Sequence, residues 1–126
     1  MGRALWLLFC LLPIFSILHC SKDHSLPSKF HENRVGIPQD LAASFEGDDV
    51  ILGWSMSDTA AVFYYIVTVT EGTSGVERQY TTPGAGQSYT VEFAWVDSFY
   101  TFQVQAVDNT NFAGQKSNVD TVFITQ

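Results

Sequence analysis

The chain has 126 residues, with 13 acidic against 6 basic side chains and a net charge of −7. That balance repels phosphate backbones and anionic lipid, so nucleic acid and membrane surfaces are excluded as expected partners. Two cysteines, Cys10 and Cys20, are too few for a zinc ribbon or a disulfide framework.

In chain order, Arg3 is followed by an apolar stretch over residues 4–18, interrupted only by Pro13 and Ser16. A short positive start and an apolar run make residues 1–20 a secretory signal peptide. A spanning helix needs about 20 apolar residues, and this run is shorter and carries a proline. The cut is placed after Cys20, although bulky Leu18 leaves the exact bond open. His19 is unsuited to precede a lipid-anchored Cys20, and Trp6 stands where a myristoylated Gly2 would need Ser or Thr. Removing residues 1–20 takes away both cysteines and Arg3, leaving 13 acidic and 5 basic residues, a net of −8. The expected mature protein is therefore extracellular, inserts in no membrane, and folds on its hydrophobic core alone. No Asn-x-Ser/Thr sequon is present, so no N-linked glycan is expected.

Residues 21–36 are polar, with no periodicity, and read as a flexible leader. The folded part is placed at 37–126. Leu41, Ala43 and Phe45 alternate as a first strand, and Glu46-Gly47-Asp48-Asp49 is a turn by composition. Val50, Leu52 and Trp54 make the inward face of a second strand. Residues 63–70 form a third, with Tyr65, Val67 and Val69 inward and Tyr64, Ile66 and Thr68 outward. Short strands follow at 76–81 and 88–91, separated by the breaker cluster Pro83-Gly84-Ala85-Gly86. The best alternation is at 100–107. Residues 108–116 read as a loop, and 118–125 as the closing strand. Seven short strands with no helical pattern after residue 20 predict an all-β sandwich of immunoglobulin type without a disulfide.

Taken in order, Pro38, Leu41, Val50-x-Leu52-x-Trp54, Tyr65-x-Val67 and Tyr100-x-Phe102-x-Val104-x-Ala106 resemble a fibronectin type III domain over about residues 37–124. The resemblance implies that Trp54 is the core Trp of the second strand and Tyr100 the tyrosine-corner residue. It departs at 93–99, where Phe93-Ala94-Trp95-Val96-Asp97-Ser98-Phe99 replaces the family's Leu-x-Pro approach and leaves the register there open. Gln105-Ala106-Val107-Asp108 with Asn111 and Ser117-Asn118 is similar to the C-terminal domain of calcium-activated chloride channel regulators.

No catalytic residue, cofactor or metal ligand is expected. The folded part has no Cys or His, Glu46, Asp48 and Asp49 lack a spaced series of calcium ligands, and His24 and His31 lie on the leader. Asp58, Asp97 and Asp108 fall in loops, where acids make turns. Five residues are candidates for partner binding: Asn109, Asn111 and Phe112 in the 108–116 loop, and Tyr64 and Ile66 on the outward face of the third strand. The functional expectation is a secreted, non-catalytic module that binds an extracellular protein or glycan. Two alternatives stay open: a secreted regulator of an enzyme, inserting the 108–116 loop into a cleft, and a structural matrix or coat component.

Overall fold

The computed structural model describes residues 26, 27 and 29–125; the expected signal peptide and the start of the expected leader lie outside them. Nine strands are present among the described residues: β1 (Lys29–Phe30), β2 (Gln39–Glu46), β3 (Asp49–Ser55), β4 (Val62–Glu71), β5 (Glu77–Thr81), β6 (Ser88–Glu92), β7 (Ser98–Asp108), β8 (Phe112–Lys116) and β9 (Asp120–Ile124). They form two sheets. One has the order β1-β8-β7-β4-β5, with β9 also paired to β7, and the other is β2-β3-β6. The expected all-β sandwich is the architecture.

Alternation places the core. Val50, Leu52 and Trp54 from β3 meet Tyr65, Val67 and Val69 from β4, and Tyr100, Phe102, Val104 and Ala106 from β7. Trp54 sits edge-on to Tyr65 with ring centroids 4.9 Å apart. Burying such side chains is worth about 1.5–3 kcal/mol each. The Tyr100 hydroxyl accepts from Val96 N–H (3.1 Å) and donates to the Val96 carbonyl (3.2 Å), forming the expected corner. Where a Leu-x-Pro turn was lacking, Trp95 fills the space. It is buried, lies 4.8 Å edge-on to Tyr100, and donates its indole N–H to the Asp48 carbonyl. That bond ties the β2–β3 turn to the segment before β7.

Two strands exceed the expected seven, and each corrects a reading. One of them, β8, lies within the expected 108–116 loop, ahead of the closing strand β9. β8 and β9 both pair with β7, and between them the Ser117 hydroxyl accepts from Val104 N–H in place of a backbone carbonyl. Residues 112–116 are therefore a strand rather than loop. The leader is not free along its length either. Lys29 and Phe30 pair in parallel with Phe112 and Ala113, His31 N–H donates to the Ala113 carbonyl, and Val35 is buried in the core. Val35 fits because its partner is Gly114: a Cβ there would come within 2.6 Å of a Val35 methyl.

The two seams between the sheets differ. On one, Asn118 and Asp120 side chains accept from Leu41 and Ala43 N–H and so close β2 against β9. The other, between β5 and β6, stays open toward the end where β4 turns into β5.

Candidate functional site

The expected binding residues converge on the β7–β8 turn, but not as a loose loop. Asn111 N–H donates to the Asp108 carbonyl (3.0 Å), closing a four-residue turn, and Asn111 then takes the left-handed region at φ 68°. A turn followed by a left-handed residue suits a short hairpin, and Asn tolerates that conformation better than most residues. The Asp108 side chain locks the turn from below. Its Oδ1 accepts from Thr110 N–H (2.9 Å), Thr110 Oγ1 (2.8 Å) and Phe112 N–H (2.9 Å), and its Oδ2 accepts from Arg34 Nε (2.9 Å). Burial pushes the Asp108 carboxyl upward, but the hydrogen bonds from Phe112, Thr110 and Arg34 outweigh it and hold it down to about 2.

Arg34 also donates to Thr110 Oγ1 (2.9 Å) and lays its guanidinium 4.3 Å from the Phe112 ring centroid. The Lys29 ammonium stands 5.1 Å over the same ring, and the His31 imidazole meets it edge-on at 6.3 Å. Phe112 is thus half-buried and occupied by the N-terminal segment, which corrects its reading as an exposed anchor. The exposed members of the turn are Asn109, Thr110 and Asn111. Lys29, Arg34 and Lys116, three of the four Lys and Arg side chains among the described residues, lie on this edge. A polar hollow of about 400 Å³ beside it is lined by Arg34, Asp58 and Gln115.

Tyr64 and Ile66 are on the outward face of β4, as expected, but they are 1% and 3% exposed and form a second small core with Val107 and Ala113. They cannot offer a free surface. Tyr64 instead donates its hydroxyl to Asn111 Oδ1 (2.9 Å) and supports the turn from behind. The unbroken apolar run from Val62 to Val67 carried that signal, since a strand buried on both faces has no alternation to show. The residues that sequence reasoning missed are Arg34 and Lys29. Nothing in an aperiodic polar leader marks partners that lie 74 residues or more along the chain. Among the described residues, no group of three or more His, Cys, Asp or Glu is placed to hold a metal ion.

No protein-family model matches the chain, and neither does any curated protein. Solved structures do. A structure described as that of a myokine superposes with a TM-score of 0.64 at 12% identity, over 73% of this chain and 99% of that one. A fibronectin type III domain of human collagen XX gives 0.63 at 14% identity, over 77% and 98%. The FN5 domain of Drosophila Lar gives 0.60 at 19% identity, over 73% and 98%. These identities speak to fold alone, and the fold is that of a fibronectin type III domain.

Proposed function

We propose that this chain is a secreted, non-catalytic binding module that recognises an extracellular protein or glycan through the tip of the β7–β8 turn and the cation-bearing β1–β8 edge. The observation that carries the reading is the Asp108 lock. Four hydrogen bonds to one buried carboxylate, one of them from Arg34 of the N-terminal segment, hold this turn in a single shape. A turn that must present Asn109, Thr110 and Asn111 in one arrangement gains from them, because little ordering entropy is then left to lose on binding. Arg34 and Lys29 beside the tip, and Lys116 at the far end of β8, supply the charge that an otherwise acidic domain lacks. Secretion rests on the apolar run at residues 4–18 and the basic start before it. The short turn reaches less far than the loop an inhibitor would insert into a cleft, so the enzyme-regulator reading gains nothing from this geometry.

The test is affinity capture from extracellular fluid with the domain from Ser21 onward, run beside Asn109→Ala and Lys116→Glu. Both variants change exposed side chains and leave the Asp108 lock intact. A protein or glycoconjugate retained by the parent and lost by both variants supports the reading. Equal retention by all three places the binding surface elsewhere.

A further inference from the structure

The N-terminal segment is held by residues that lie far along the chain. β1 pairs with β8, Arg34 donates to Asp108 and Thr110, and Val35 fills the notch at Gly114. What ties the segment to its own sandwich is short: residues 36–40, between buried Val35 and buried Leu41. This connection leaves the sheet of β1 and enters the sheet of β2. It has little freedom to turn. A Cβ on Gly36 would stand 3.2 Å from the Met56 methyl, and Pro38 is buried with its φ fixed by the ring.

The turning falls on Asp40. Its φ is 55°, and the pairing of β2 with β3 slips between Gln39 and Ala42 at the same place. The left-handed region strains any residue with a Cβ. Asn111, the other non-glycine residue there among those described, is compensated by a closed turn and by the Tyr64 hydroxyl on its side chain. Asp40 is exposed and accepts only a 3.3 Å bond from Ser55 Oγ.

A short connection under strain favours exchange of the element it carries, because the element finds the same contacts on a second copy while the connection straightens. The receiving surface specifies what it takes. The notch at Gly114 admits Val35, and Asp108 binds Arg34, so a second copy of this chain supplies the matching residues in the matching order.

We propose that residues 29–38 exchange between two copies, with Asp40 as the hinge. Each β7–β8 turn is then locked by the partner's Arg34, and the partner's Lys29 stands over its Phe112. Asp40 returns to extended backbone. Only the Gln39–Ser55 pair of β2 and β3 lies ahead of it, so little of that sheet is given up. The dimer carries two complete tips, which a multivalent partner can engage together.

Cysteine trapping tests this in the domain from Ser21 onward, which has no cysteine of its own. Lys29→Cys and Phe112→Cys change directly paired positions on adjacent strands, within disulfide reach. As a double variant in one chain, kept dilute, they should close within the monomer. Mixed as two single variants, concentrated and then oxidised, they should give a disulfide-linked dimer containing one chain of each, which neither variant gives alone. Adding Asp40→Gly to both should lower the association constant roughly tenfold, since each dimer relaxes two hinges. Closure within the monomer but no mixed dimer would overturn the proposal, because the segment would stay on its own sandwich. So would a mixed dimer that Asp40→Gly leaves undiminished, since the strained hinge would not be its source. Neither readout involves a partner of the tip, so both are independent of the capture experiment.

Discussion

The two ends of the sandwich solve the same problem with different means. At one end Asp108 closes the β7–β8 turn, and at the other Glu71 closes the turn between β4 and β5. Glu71 accepts from Thr73 N–H (3.0 Å), Ser74 N–H (2.6 Å) and the Ser74 and Ser98 hydroxyls. Each carboxylate thus receives four hydrogen bonds within and around a short turn. Ser74 and Ser98 hold the Glu71 carboxyl down to about 2, where Asp108 also sits. The difference lies in what else each one grips. Asp108 is buried and takes a cation from the N-terminal segment, so one residue joins the turn, β1 and the β8 edge. Glu71 is bound by hydroxyls and amides from its own turn and from the start of β7, beside an open groove. One turn is thereby built into the fold, whereas the other borders a surface that is left uncovered.

The largest expected effect lies at neither turn. Trp54→Ala should cost about 3–5 kcal/mol through lost burial and a residual cavity. Denaturant unfolding checks it, and a loss below about 1 kcal/mol would break the premise that both turns rest on one shared core.

Asp108→Ala comes next, at about 1.5–3 kcal/mol, because it strands the donors of Phe112, Thr110 and Arg34. Glu71→Gln keeps a hydrogen-bonding side chain in a solvent-facing turn and should destabilise less than Asp108→Ala in the same measurement. A larger effect at Glu71 would invert the comparison.

Acid should act on both turns in one direction. Each carboxyl titrates lower in the folded chain than its ordinary value of 3.8 for Asp108 or 4.5 for Glu71. Their contribution is fully present above those ordinary values and is lost as pH falls through them toward about 2. Stability measured from pH 5 to pH 2 should therefore fall, and less steeply in Asp108→Asn. An unchanged slope in that variant would detach the lock from stability.

The smallest effect is at Phe112. Cation–π contacts at exposed sites contribute about 0.5–1 kcal/mol, so Phe112→Ala should lower stability by roughly that amount and loosen β1. Full retention of stability would return the ring to its first reading as a free anchor.

Much of this was legible in the chain. Alternation over Val50–Trp54 and Tyr100–Ala106 identifies core strands, and Tyr100 is the corner residue that its position implies. β8 escaped because Phe112, Ala113 and Gly114 do not alternate, and a strand of five residues at a sheet edge takes its order from its neighbour. β1 escaped for a stronger form of the same reason: two residues carry no period, and their conformation comes from pairing with Phe112 and Ala113. Tyr64 and Ile66 were placed on the correct face, but that this face is covered depends on Val107 and Ala113 from distant strands. The turn itself could be found by its Asn and Asp content. That Asp108 would bind Arg34, 74 residues earlier in the chain, follows only from the fold.

The central claim is that Asp108 couples the β7–β8 turn to the N-terminal segment. Amide hydrogen exchange in the parent and in Asp108→Asn tests it at three N–H groups: Thr110 and Phe112, which donate to the carboxylate, and His31, which donates to Ala113 on β8. The account predicts that all three exchange at least about tenfold faster in the variant, equivalent to ~1.4 kcal/mol of lost protection. Faster exchange at Thr110 and Phe112 with His31 unchanged would contradict it, since the turn and the segment would then be held separately.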